Sequence, residues 1–158
     1  MNKVKKTNFF KPLLIVFLLY PITLSAQCGI SVDKPMNFGL FNPIESEIKS
    51  SVVFLKVSCS GEDISNYKII FSRGKGRSIS PRYMLGKSNK LGYNLYIDAA
   101  RTIIWGNGRN GSSPLYGTGP CTELKPCTHV VYGKLTGSNA KLNAGEYQDT
   151  VRILLQYE

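Results

Sequence analysis

The segment AGEYQDTVRILLQYE, residues 144–158, decides the class of fold. From Val151 onward every second residue is apolar: Val151, Ile153, Leu155 and Tyr157. β-Branched and aromatic residues at a period of two are typical of a strand with one buried face. A strand needs a neighbour on each side, or some device that protects its edge. The segment therefore predicts an edge strand whose apolar face must pack against another part of the protein or against a partner.

Short alternating runs of the same kind follow one another along the rest of the chain, with Gly, Pro, Asn and Ser between them. No segment shows a sustained helical period. Six or so strands with turns between them indicate an all-β fold, an antiparallel β-sandwich. The other predicted strands are GISVDKPMNFG, interrupted at Pro35, KSSVVFLKVSCS, with Val53, Leu55, Val57 and Cys59 on one face, NYKIIFSRG, with Tyr67, Ile69 and Phe71 inward, LGYNLYID, with Tyr93 and Leu95 inward, and THVVYGKLTG; residues 73–90 and 106–126 are predicted loops.

The N-terminal region has the pattern of an export signal. Residues 1–12 carry four lysines and no acid, Leu13 to Tyr20 are all apolar, and small residues lead up to Ala26. A basic start, a short apolar run and a small-residue exit describe a secretory signal peptide. The apolar run is too short to span a bilayer, which requires about 20 residues. We therefore predict a signal peptide over residues 1–26 and one domain over residues 27–158, with no membrane span in the mature chain.

The four cysteines all lie in the predicted exported part of the chain. An even number of cysteines behind a signal peptide predicts two disulfides, for which three connectivities exist. The pairing Cys28–Cys59 with Cys121–Cys127 is favoured. Gln27 stands where a lipidation site has Gly or Ala, so Cys28 is expected to form a disulfide rather than carry a lipid.

Charge suggests one binding surface. Removing residues 1–26 removes four of the 20 basic residues and none of the ten acidic ones, which leaves a formal net charge of +6. Within that basic chain, residues 73–90 contain no acid at all. Such a stretch is either a solvated loop, the interpretation we favour, or a contact for an anionic surface or polymer. Its basic residues are Arg73, Lys75, Arg77, Arg82, Lys87 and Lys90.

The sequence contains no residue pattern that points clearly to an enzyme active site. GNGRNG, residues 106–111, matches a dinucleotide-binding pattern, but SSPLYGTGP after it cannot form the helix that such a site needs. His129 is the only histidine, so no histidine-based triad and no multi-histidine metal site can form. Asp98 is expected to serve a turn or pair with Arg101 rather than act with Asp149 as an acid–base pair. We predict no enzyme, no cofactor and no metal.

Two further groups of residues admit more than one interpretation. Zinc bound by Cys121, Cys127 and His129 is conceivable, but paired cysteines in an exported chain favour oxidation. A set of four aromatic residues could form either a sugar-stacking surface or, as we favour, part of the sandwich core. These aromatic residues are Tyr93, Tyr96, Trp105 and Tyr116.

Three ordered motifs make the chain similar to a known family. They are CGISVDKPMNFG near the start, YNLYIDAARTIIWGNG over Tyr93 to Gly108, and GEYQDTV over Gly145 to Val151. Together they resemble the spore coat protein U domain family, which includes the pilins of archaic chaperone–usher pili of Gram-negative bacteria. The resemblance extends over essentially the whole mature chain, from Cys28 to Tyr157.

The resemblance implies an incomplete immunoglobulin-like sandwich that lacks its final strand. A periplasmic chaperone would lend a strand to the gap, and the N-terminal extension of the next subunit would replace it in the fibre. The implied partners are this chaperone, an outer-membrane usher, other pilus subunits and a host or abiotic surface, with no nucleic acid. The resemblance also implies passage through the periplasm to the cell surface. It places the chaperone and donor-strand contacts at Gly145, Val151, Ile153, Leu155 and Tyr157.

One departure from the family pattern bears on the place of this chain in a fibre. Cleavage after Ala26 would leave only Gln27 ahead of Cys28, and no alternating segment to serve as a donor strand. The chain is therefore expected to accept a strand without donating one, which favours a terminal, tip position. The alternative is a secreted coat-like or surface protein that does not polymerise and that binds anionic polymer through its basic loop.

Overall fold

The computed structural model describes residues 27–42, 48–60, 66–137 and 142–157, and the predicted signal peptide lies outside these ranges. Over the described ranges the chain forms ten strands and no helix, so none of these residues belongs to a helix that could cross a membrane. The strands are β1 (Gln27–Val32), β2 (Ser50–Ser60), β3 (Asn66–Phe71), β4 (Arg82–Leu85), β5 (Lys90–Tyr96), β6 (Ile104–Trp105), β7 (Ser112–Ser113), β8 (Leu115–Thr118), β9 (Cys127–Gly137) and β10 (Ile153–Tyr157).

The strands are arranged in two sheets. Sheet A has the order β1-β2-β9-β5-β6-β7, and β4 also pairs with β5. Sheet B has the order β10-β3-β8. All strand pairs are antiparallel apart from the short pair of β6 with β7, which is parallel. The all-β immunoglobulin-like sandwich is therefore confirmed, with one short parallel pair as the exception.

Period-two alternation produces the core between the sheets, because successive side chains of a strand point to opposite faces. On β2, Val53, Leu55 and Val57 are buried while their neighbours are more exposed. On β3, Tyr67, Ile69 and Phe71 are buried in the same alternation. The predicted inward faces of both strands are confirmed, and Tyr93 and Leu95 of β5 are buried as well.

Trp105 anchors the contact between the sheets. Its side chain is fully buried, its ring stacks on Phe71 at 4.4 Å, and its indole N–H donates to the carbonyl of Ile69 at 3.0 Å. Tyr93 and Tyr96 are also buried, which confirms the core interpretation for these three aromatic residues. The interpretation is wrong for Tyr116, which is 72 % exposed because it points outward from β8 beside Lys68.

Both favoured disulfides are present. Cys28 pairs with Cys59 across β1 and β2, where the two residues stand directly opposite each other. Cys121 pairs with Cys127 and closes the loop that leads into β9. The two bridges lie close together, since the amide of Cys59 donates to the carbonyl of Cys121 at 2.6 Å. Both cysteines of the hypothetical zinc site are thus held as disulfide sulfurs.

Three predicted boundaries are wrong. The first predicted strand extends to Gly39, but β1 ends at Val32, before the proline that cannot donate a ladder hydrogen bond. The predicted loop over residues 73–90 contains β4, which the sequence hides because its inward positions include an arginine. The predicted loop over residues 106–126 contains β7 and β8, which are too short to show an alternating pattern.

A hydrogen bond between two polar side chains connects sheet B to sheet A. The hydroxyl of Tyr67 on β3 lies 2.7 Å from Nε2 of His129 on β9, and the two rings meet edge to face. Burial lowers the pKa of the His129 imidazole below its ordinary value, because a charged ring is poorly solvated there. The fold therefore favours the neutral ring.

This preference predicts a pH dependence of stability. The unfolded chain takes up a proton on His129 below a pH of about 6.5, whereas the folded chain resists it, so the free energy of unfolding should fall as the pH decreases below that value. Denaturant unfolding between pH 5 and 8 measures the slope. In His129→Gln, which keeps a hydrogen-bonding group, the slope should be smaller in this range. An unchanged slope in the variant would contradict the assignment.

Candidate functional site

An open edge lies beside the terminal strand. β10 pairs with β3 on one side, over Ile153 to Tyr157, and no strand within the described residues pairs with its other side. Across from this edge, residues 33–42 follow β1 without forming a strand. Residues 142–152, which lead into β10, also lie outside any strand. Two segments of non-strand backbone thus border a gap in the sandwich.

The gap is a continuous groove. Its first part has a volume of about 680 Å³ and its second part about 910 Å³. Both parts share residues of the two bordering segments, among them Met36, Phe38 and Tyr147, so they adjoin along the same edge. Protein interiors contain few voids larger than a water molecule. A groove of this size leaves the sandwich with a large unfilled space beside its core.

The floor of the groove is the hydrophobic core itself. Phe71 of sheet B and Val131 and Leu95 of sheet A line the first part. Leu91 and Leu135 line the second. All five side chains are buried members of the core cluster. The groove therefore opens into the space between the sheets, where an inserted strand could place alternate apolar side chains on the core.

Hydrogen bonds hold the segment 142–152 in place as one wall of the groove. Leu85 of β4 and Gln148 exchange two backbone hydrogen bonds, of 2.8 and 3.1 Å, as an isolated antiparallel bridge. Further along, the amide of Ser72 donates to the carbonyl of Arg152, whose own amide donates to the Ser72 hydroxyl at 2.8 Å. The segment is thus attached to sheet A at Gln148 and to the end of β3 at Arg152.

Asp149 is the polar centre of this wall. Its carboxylate accepts hydrogen bonds from the hydroxyl of Tyr93 and from the amide of Lys75, both at 2.6 Å. Gly74, at a positive φ of 71°, lies so close that a side chain there would collide with the carboxylate. Burial, and then the hydrogen bond to Asp149, raise the pKa of the Tyr93 phenol, so this hydroxyl remains the donor at any physiological pH.

Arg82 corrects one prediction of the sequence analysis. The sequence predicts it to be an anionic-surface contact, but its side chain is fully buried. Its guanidinium donates to the carbonyl of Ser72 at 3.0 Å and to that of Trp105 at 2.7 Å. Burial lowers its pKa, and the nearby Tyr93 and Asp149 act in the opposite direction. Arg82 is therefore a buried structural cation and cannot contact a surface, because its donors face the core.

The five predicted strand contacts all lie on the chain segment beside the groove. Val151 and Ile153 line its first part, and Gly145 lines its second, with a φ of 150° that disfavours any side chain. Leu155 packs against the core below the open edge of β10. Tyr157 is 38 % exposed, and its hydroxyl accepts a hydrogen bond of 3.4 Å from the amide of Cys28 on β1. Their contact with a partner strand stays a prediction.

The opposite wall of the groove was not among the predicted site residues. Met36 and Phe38 line both parts of the groove, and Phe38 meets the ring of Tyr93 edge to face at 6.1 Å. Met84 of β4 also lines both parts. The first predicted strand includes Met36 and Phe38, but nothing in the sequence marks them as lining a groove.

The residues weighed as catalytic or metal-binding have other roles. Asp98 accepts hydrogen bonds from the amides of Thr102 and Ile103, and these bonds, chiefly that of Ile103, lower its pKa. Asp149 belongs to the groove wall, so the two acids serve different elements. In the described ranges, no three residues of the types His, Cys, Asp and Glu are grouped as a metal site would require. GNGRNG forms a turn before β7.

A comparison with protein-family models matches residues 15–154 to the Spore Coat Protein U domain. The chain belongs to this family. No curated protein matches the chain. Among the solved structures that the chain resembles, one is matched over 84 % of this chain and 40 % of the other chain, with a TM-score of 0.53 and 20 % identity. That structure is the CsuC–CsuE chaperone–tip adhesion subunit pre-assembly complex from archaic chaperone-usher Csu pili of Acinetobacter baumannii. At this identity the likeness concerns the fold.

Proposed function

We propose that this chain is a non-enzymatic structural or adhesive subunit of a chaperone–usher pilus, which accepts a strand from a partner to complete its fold. The observation that carries the proposal is the groove that opens into the core beside the unpaired edge of β10. Membership of the Spore Coat Protein U family and the fold shared with a subunit of Csu pili support it.

The edge and the groove together suit strand addition. Main-chain groups along the free side of β10 can pair with an extended segment, and that segment then covers the buried faces of Leu95 and Val131 with alternate side chains. A periplasmic chaperone is the expected first donor, and a neighbouring subunit the second. Because the expected donor extension ahead of Cys28 is so short, we place the chain at the end of a fibre.

Chaperone dependence tests this proposal. We expect the exported chain to be degraded or to aggregate when it is produced alone in the periplasm, because its core remains open. Co-production with its cognate chaperone should yield a soluble complex of one subunit and one chaperone. Periplasmic yield and size-exclusion chromatography with and without the chaperone measure this.

A stable soluble monomer without the chaperone would contradict the incomplete fold. The same result would favour the alternative, a secreted coat-like protein whose sandwich needs no partner. The control is the state of the cysteines, which thiol alkylation measures. Formed disulfides in both cultures show that the chain reached the periplasm.

A further inference from the structure

Exposed cations lie on the two chain segments that adjoin Tyr83 of β4. We define the basic face as Tyr83 together with five residues of the turn before β4 and of the hairpin after it. Each of the five cations is exposed, and the stretch 73–90 contains no acid. Within the part of the chain that the structure describes, none of them forms an ion pair. The cations are Arg73, Lys75, Arg77, Lys87 and Lys90.

Packing brings cations from two separate segments to one ring. A side chain at Gly76 would meet Cβ of Tyr83 at 2.8 Å and its carbonyl oxygen at 2.9 Å, so the turn lies directly against β4. Lys75 and Arg77 flank this contact in the chain. From the other side, Nζ of Lys90 lies 5.1 Å from the centre of the Tyr83 ring. The positive charges therefore form one surface instead of being spread along a loop.

The turn that carries these cations is held rigidly. The amide of Lys75 donates to Asp149 at 2.6 Å, and the amide of Gly74 donates to the hydroxyl of Ser72 at 3.3 Å. Asp149, the acid of this region, accepts hydrogen bonds from that amide and from Tyr93. The backbone of the turn, and not the lysine side chain, is thus bound to the carboxylate. Because the backbone of the turn is already ordered, binding an anion costs no further backbone entropy there.

We propose that the basic face binds an anionic polysaccharide, an activity independent of strand acceptance in the groove. Closely spaced cations attract a polymer of repeated carboxylate or sulfate groups, and the lysine stems can cover its sugar rings. A single-stranded nucleic acid fits less well, because single-strand binding stacks successive bases on aromatic rings, and the basic face has Tyr83 alone, whose ring already contacts Nζ of Lys90. Two disulfides also place the chain where extracellular polysaccharides occur.

The test uses the exported chain in complex with its chaperone, or alone if it is stable, and fluorescent polygalacturonate as the probe. The variant Lys75→Glu/Arg77→Glu/Lys90→Glu reverses three charges of the basic face. We expect the affinity of this variant for polygalacturonate to be lower by at least about tenfold. The affinity of the unmodified chain should fall steeply as the salt concentration rises. The matched control reverses three exposed cations elsewhere, Lys56, Arg109 and Lys125, and changes the net charge by the same amount. It should lose less than about threefold.

Several outcomes would overturn the proposal. Equal losses in the two triple variants would show attraction by net charge alone. Neutral dextran binding as tightly as polygalacturonate, or no binding of polygalacturonate at all, would also refute it. Tighter binding of single-stranded DNA than of polygalacturonate would refute the polysaccharide assignment in favour of nucleic acid. Chaperone capture is measured in parallel, so a failure of the proposed pilus role remains distinguishable from a failure of polymer binding.

Discussion

Serine in place of both Leu155 and Tyr157 is expected to abolish capture of this chain by its periplasmic chaperone. Leu155 lies on the core side of β10, and Tyr157 stands near the end of its unpaired edge. A partner strand along this edge would cover both side chains. Burial of a large apolar side chain contributes about 1.5–3 kcal/mol, so loss of two should reduce affinity by roughly a hundredfold or more.

The matched control changes the same strand on its other face. Leu154 is 49 % exposed and Gln156 is exposed as well, so Leu154→Ser/Gln156→Ser should leave capture nearly unchanged. Capture is measured by co-purification with a tagged chaperone. Because Leu155 also packs against the core, disulfide formation is followed in each variant, and capture is compared among chains that have both bridges. Undiminished capture of Leu155→Ser/Tyr157→Ser would refute the role given to this edge.

Replacement of Arg82 by alanine is expected to prevent stable folding. The guanidinium satisfies the carbonyls of Ser72 and Trp105, and it balances Asp149 from within the core. Its removal leaves buried acceptors without a donor and opens a cavity. Loss of one partner of a buried charged network typically costs about 3–5 kcal/mol, a large part of the stability of a domain of this size. Denaturant unfolding of the chain in complex with its chaperone measures this loss.

Arg77 provides the control for this substitution. It belongs to the same basic stretch but is exposed, so Arg77→Ala should change stability by no more than about 0.5 kcal/mol. Arg82→Lys keeps the charge but cannot reach two carbonyls with a planar group, so it should recover only part of the loss. Equal stability of Arg82→Ala and Arg77→Ala would show that the buried network is dispensable.

Alternation of apolar residues was enough to predict the strands that cross the core. β2 and β3 repeat a period of two over six or more residues, and their inward side chains are buried as expected. β5 differs, because six consecutive residues of it are buried, including the predicted Tyr93 and Leu95. Shorter strands did not show this signal. β4 has four residues and places Arg82 inward, so its polar inward position made it resemble a solvated loop.

The candidate site was predicted only on one wall. The terminal segment carried a pattern of its own, so the residues from Val151 to Tyr157 could be selected from sequence. Met36 and Phe38 lie within the first predicted strand, yet they line a groove, since β1 ends at Val32 and no strand of the described residues pairs with the chain beyond it. Whether alternating residues pair or border a gap depends on the position of other strands.

The all-β class, the inward faces of the long strands and the resemblance to one family are readable from the sequence, because period-two alternation and local motifs are properties of short segments. The three-dimensional structure was needed to show which edge of the described strands lacks a partner, that Arg82 is buried, and that the turn at Gly76 and the side chain of Lys90 both adjoin Tyr83. These features arise from contacts between segments distant in the chain. No local pattern encodes them, since burial and charge clustering are set by packing.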